Sequence, residues 1–144
     1  MNSLAASRLG NFVGSSRPRT LVVDGNESCR TIFAAVLSKS GYDVDTAVNG
    51  ADALERIATE RFDLLLTDWE MPVLDGGRLV LALRSAGIQT PVVMLSGTFA
   101  GTPLPRAIAR EVFAVLEKPL DPFDFLETVA AALGCPREPV LHAA

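Results

Sequence analysis

Between Thr20 and Leu133 the chain alternates five times between a short β-branched or apolar run and a longer stretch whose apolar positions recur at helical spacing. Antiparallel neighbours would need only tight turns between them, whereas parallel strands need a crossover of a dozen or more residues, usually a helix. The alternation therefore predicts an α/β fold with parallel strands and crossover helices. Right-handed crossovers make a doubly wound five-stranded sheet the simplest topology. They place any site in the crevice at the carboxyl ends of the strands.

Turn chemistry sets the expected boundaries. The first strand spans residues 20–24, and Asn26 caps a helix that turns Cys29, Ile32, Phe33 and Val36 inward and stops at Gly41. A strand over 43–47 leads to a helix over 50–60 with Ala53, Leu54, Ile57 and Ala58 facing the core. The run at residues 64–67 is continuously apolar, so it is expected in the middle of the sheet, buried on both faces and delivering Asp68 at its end. A helix ending near Ser85 carries Leu79, Ala82, Leu83 and Ala86, and the fourth strand covers 92–95. Pro103 and Pro105 confine the next helix to about 106–111. The fifth strand spans 114–116. Asp121 and Pro122 open a last helix that uses Leu126, Val129 and Leu133 before Gly134.

A length of 144 residues with 49% hydrophobic residues suffices for one core. Residues 20–134 are expected to form that domain, with 1–19 as an acid-free disordered leader, a docking helix being the alternative, and 135–144 as a frayed tail. Against 17 acidic residues stand 13 basic ones, a net charge of -4 that disfavours a phosphate-backbone binder; no direct nucleic-acid partner is expected. Cys29 and Cys135 form no disulfide framework or zinc cluster, which fits a reducing compartment. No apolar run approaches the roughly 18 residues of a membrane span, and the N-terminus lacks a signal-peptide pattern. These features lead us to expect a cytoplasmic protein with no membrane partner.

Four of the five strand ends are followed by, or finish in, polar residues that can meet in one crevice: Asp24, Asp68, Ser96 and Lys118. A single strand-end aspartate is usually a turn residue or helix cap. Two acids, a hydroxyl and an amine on separate strands can instead hold a phosphoryl group and a hard cation, and a carboxylate can itself accept a phosphoryl group as an acyl phosphate.

The strings Leu21-Val22-Val23-Asp24, Asp68-Trp69-Glu70-Met71-Pro72-Val73-Leu74-Asp75-Gly76, Leu95-Ser96-Gly97 and Glu117-Lys118-Pro119 resemble those of response-regulator receiver domains. The resemblance covers about residues 19–133. It implies a flavodoxin-like receiver fold with strand order 2-1-3-4-5, and it implies that Asp68 is the phosphoacceptor, supplied by a sensor histidine kinase or a phosphotransfer protein. On the same resemblance Lys118 pairs with the phosphoryl oxygens, and Ser96 donates its hydroxyl to them and moves with the switch. Pro119 follows a cis bond that aims the lysine, and magnesium is held by Asp24, Asp68 and the backbone carbonyl of Glu70. The chain would act on an output partner of unknown identity. It would not be an enzyme beyond self-catalysed phosphorylation and dephosphorylation of Asp68.

Two positions depart from the family pattern. The family brings two adjacent acids at the end of the first strand, and here the pair reads Asp24-Gly25. Magnesium binding is therefore expected to be weak, with the Glu70 side chain in solvent rather than replacing the missing acid. Val115 stands where the family keeps an aromatic switch; Phe113 and Phe99 are the nearest substitutes, Phe113 reading more as core. These departures keep a second reading open, a pseudo-receiver that is little phosphorylated and binds partners largely independently of phosphorylation. A third reading, a flavodoxin-like enzyme or nucleotide binder, is weak because no G-x-G-x-x-G or P-loop follows a strand.

Overall fold

The computed structural model describes residues 17–97 and 104–134. The elements alternate as β1 (Arg19–Val23), α1 (Glu27–Lys39), β2 (Asp43–Ala47), α2 (Gly50–Thr59), β3 (Leu64–Asp68), α3 (Gly76–Ser85), β4 (Val92–Ser96), α4 (Arg106–Ala109), β5 (Ala114–Glu117) and α5 (Pro122–Ala132). All four strand pairings are parallel, and the order is β2-β1-β3-β4-β5, as the resemblance implied. Every residue of β3 is buried, which explains its unbroken apolar run. Residues 1–16 of the expected leader and 135–144 of the expected tail lie outside the described residues.

Strand residues point alternately to the two faces, so the sheet divides the core in two. Leu21, Val23, Leu65, Val92 and Met94 pack with Ala53, Leu79, Val80, Leu83 and Ile108 on the face covered by α2, α3 and α4. Val22, Leu64, Leu66, Val93 and Leu95 pack with Phe33, Leu37, Phe125 and Val129 on the face covered by α1 and α5. Full burial of such a side chain contributes about 1.5–3 kcal/mol. At the amino ends of the strands the Arg19 guanidinium ties β1 to β2 and α2, 2.6 Å from Asp45 and 2.8 Å from Glu60.

Caps behave as the sequence suggests. Asn26 accepts from the Cys29 N–H at 2.9 Å, Asp121 accepts from Phe123, and Gly41 takes a φ of 98° just past α1. Several inward-facing assignments need correction. Ile32, Ala58 and Ala86 are exposed, whereas Leu37, Val80 and Phe125 carry core contacts that the sequence reading passed over. The stripes run Phe33–Leu37 and Phe125–Val129, four residues apart, so Ile32 lies a full residue step off the buried line of α1. Helix α4 stops at Ala109 rather than near Glu111; Pro105 at its start gives no side-chain cap, and Glu111 is drawn aside to Arg84. Strand β1 starts at Arg19, one residue earlier than expected.

Candidate functional site

Strand register assembles the site. Val23 lies opposite Thr67, so Asp24, the next residue, falls beside Asp68 at the end of β3. Leu95 is opposite Asp68, which carries Ser96 one step beyond it, and Ser96 is opposite Glu117, which carries Lys118 one step further. A lysine stem is long enough to reach back across those steps of about 3.3 Å each. Its ammonium lies 3.2 Å from Asp24 Oδ2 and 3.5 Å from Asp68 Oδ1. Gly97 leaves room for the stem, because a β-carbon there would sit 3.3 Å from Lys118 Cδ. The Lys118–Pro119 bond is cis, matching the expectation for Pro119.

The two acids are held differently. Asp24 is 1% exposed; its Oδ1 accepts from the Asn26 N–H at 2.8 Å, and its backbone carbonyl accepts from Arg30 Nη1 at 2.7 Å. Asp68 is also buried, but its main charged partner is Lys118. Burial pushes the Asp68 carboxyl above its ordinary value, and the neighbouring Asp24 charge adds to that; Lys118 and the Trp69 N–H oppose it without cancelling it. For Lys118, burial favours the neutral amine, yet Asp68 and Asp24 more than offset it and raise the ammonium's value, so the lysine stays charged. The two shifts point different ways for the strength of the Lys118–Asp68 pair. The geometry favours Asp24 as the stronger partner, being closer and hydrogen-bonded.

Among the described residues no hydrogen bond joins the Ser96 side chain to Asp68 or Lys118; Ser96 stands at the same sheet edge, partly exposed. Glu70 is exposed. Gly25 is exposed and does not take a positive φ, and a β-carbon there would make an ordinary 3.4 Å contact with Pro72 Cδ. The backbone therefore does not require glycine at this position. Among the described residues no three His, Cys, Asp or Glu groups converge as a metal cluster. Two neighbouring carboxylates remain, and these suit magnesium, which commonly takes one or two carboxylates, several waters and a phosphate oxygen.

Val115 on β5 is 42% exposed, and Phe113, just before β5, is 51% exposed rather than core. The other substitute aromatic, Phe99, lies outside the described residues. Two features escaped the sequence reading. Arg30 reaches back over the turn between β1 and α1 to the Asp24 carbonyl, a contact that no local pattern carries. Trp69 packs against Gly77 and Ile108, a contact across three elements that no local pattern carries.

Residues 20–130 match the family model of the response regulator receiver domain. The transcriptional regulatory protein PrrA of Mycobacterium tuberculosis is 42% identical over 83 residues, 58% of this chain and 36% of that protein. The alkaline phosphatase synthesis transcriptional regulatory protein PhoP of Bacillus subtilis is 41% identical over 78 residues, 54% of this chain and 32% of that protein. The chain thus spans about a third of the length of these curated relatives. Among solved structures, the chemotaxis protein CheY4 of Vibrio cholerae aligns with a TM-score of 0.71 at 30% identity, covering 81% of this chain and 99% of that one. The receiver domain of the Francisella response regulator 1452 aligns with a TM-score of 0.76 at 28% identity, covering 82% and 98%.

Proposed function

Because the chain belongs to the response regulator receiver domain family of two-component signalling, we propose that Asp68 accepts a phosphoryl group from a sensor histidine kinase or a phosphotransfer protein, through a weakened magnesium site. The observation that carries this reading is the Lys118 ammonium, 3.2 Å from Asp24 and 3.5 Å from Asp68. A fixed cation beside a buried carboxylate is the arrangement that a transferred anionic group needs. In the transfer an Asp68 oxygen bonds to phosphorus while the bond from phosphorus to the donor's histidine nitrogen breaks in line, the bonding pair leaving with the donor. Lys118 then pairs with the phosphoryl oxygens and Ser96 donates its hydroxyl to them.

Asp24, Asp68 and the backbone carbonyl of Glu70 are the groups that would hold magnesium, which when bound neutralises charge on the phosphoryl oxygens. Gly25 leaves this set one acid short. Beyond self-catalysed phosphorylation and dephosphorylation of Asp68 we propose no enzymatic activity. The output partner is a protein, and the exposed carboxyl edge is where the phosphodonor approaches.

The test uses Trp69, next to Asp68 and the sole tryptophan of the sequence, as the reporter. Magnesium titrated into the parent should quench or shift its emission only at high concentration. Gly25→Asp should tighten binding by about tenfold or more, since losing even an outer-sphere partner typically costs 10–100-fold. With acetyl phosphate the same variant should label faster, and only when magnesium is present, because without metal the added carboxylate repels Asp68 and the donor. A pseudo-receiver reading is favoured by Gly25 and by the exposed Val115; it predicts little labelling in either protein.

A further inference from the structure

Among the described residues, the two β5-side positions considered for an aromatic switch do not supply a buried one, since Val115 is aliphatic and both it and Phe113 are turned substantially to solvent. Another path runs on the same face of the sheet, from the end of β3 to α4. The indole of Trp69 and the side chain of Ile108 meet over Gly77: a β-carbon at Gly77 would lie 2.5 Å from Trp69 Cζ3 and 2.6 Å from Ile108 Cδ1. Ile108 is the buried residue of α4, and it belongs to the core cluster against which Trp69 also packs. The Trp69 backbone is tied on both sides, its N–H donating to the Leu95 carbonyl at 2.8 Å and its carbonyl accepting from the Gly76 N–H at 3.0 Å. A second tether joins the far end of α3 to the same region. Arg84 donates to the Glu111 carbonyl at 2.9 Å, with its Nε 3.3 Å from the Glu111 carboxylate.

We propose that Trp69 is the coupling residue of this receiver, passing the state of Asp68 through the Gly77 notch to Ile108 and so to α4. The proposal rests on the reading of Asp68 as phosphoacceptor. Phosphorylation adds a group of about −1.5 to −2 charge next to the Trp69 N–H. The N–H gives up its bond to the Leu95 carbonyl and turns toward the new acceptor oxygens, and the indole moves with it. The notch is already filled to contact, and a close-packed interior passes a displacement on rather than absorbing it. Ile108 must therefore shift, and a four-residue helix held by few other buried side chains shifts with it. Arg84 fixes the position of the following turn, so the movement becomes a tilt of α4 about Glu111.

The experiment is hydrogen exchange of residues 104–113 with and without acetyl phosphate and magnesium, with intact mass read on the same samples. It compares the parent, Trp69→Leu and Ile108→Ala, neither of which removes a group that touches the phosphoryl. In the parent, exchange over 104–113 should change by roughly fivefold or more, the lower end of typical coupling between sites. Both variants should gain the phosphoryl mass yet lose that change. Should Trp69→Leu fail to take the mass, Ile108→Ala decides. A full response in phosphorylated Ile108→Ala, or in phosphorylated Trp69→Leu, overturns the relay. So does a parent that gains mass without any change over 104–113. A parent that gains no mass overturns the phosphoacceptor reading, and the relay falls with it.

Discussion

Asp68 is tuned by what surrounds it more than by its own chemistry. Burial and the Asp24 charge hold its carboxyl above the ordinary range despite Lys118. A carboxyl raised in the folded state binds its proton more tightly there than in the unfolded chain. The stability it contributes is complete below the unfolded value and is lost as pH rises through the folded one. Asp68→Asn removes that loss while leaving Lys118 its closer partner Asp24. We expect the variant to melt above the parent near neutral pH, with the gap closing toward about pH 4, where the unperturbed carboxyl begins to protonate. Thermal melts of both proteins over that range check this, and a gap that widens as pH falls contradicts it. Asp24, Asp68 and Lys118 were legible in the sequence because strand ends in a parallel sheet converge whatever the intervening loops do. Arg30 was not, because its bond to the Asp24 carbonyl depends on how α1 leaves the sheet.

At the scale of elements, the start of α3 is set by how closely it approaches the backbone of Asp68. A β-carbon at Gly76 would lie 2.3 Å from the Asp68 carbonyl oxygen and 3.0 Å from Met94 Sδ. The backbone at the end of β3 cannot yield without moving Asp68 itself. Gly76→Ala should therefore cost about 1–3 kcal/mol, the range for overpacking, and slow phosphorylation of Asp68 as well. Urea denaturation alongside labelling with acetyl phosphate measures both, and an unchanged midpoint would mean that α3 is free to slide. The sequence marks this glycine pair only as a turn signal, since what it abuts lies in other elements. Element order and type were legible because strand and helix periods differ so plainly, 2 against 3.6. The exposed Ile32 and the curtailed α4 were not, since a helix's buried line is settled to within one residue only by what it packs against.

The described residues form a five-stranded sheet separating two cores, and its register alone brings an acid, a second acid and a lysine to one edge. No described helix is long and apolar enough to cross a membrane. The opposite edge is fastened by Arg19, so the two ends of the same strands carry different duties: one holds β1, β2 and α2 together, and the other is left for chemistry. A central strand buried on both faces gives Asp68 a rigid platform, which is what in-line transfer to a single oxygen requires. That the chain would be such a platform was legible from alternation and strand ends. The proposed route from Asp68 to α4 was not, because Trp69, Gly77 and Ile108 are brought together only by the packing of α3 and α4 on the sheet. The most direct test of the account is intact mass after incubation with acetyl phosphate and magnesium, in the parent and in Asp68→Asn. The parent should gain the mass of one phosphoryl group and the variant none; an unmodified parent, or a variant that labels equally, contradicts the account.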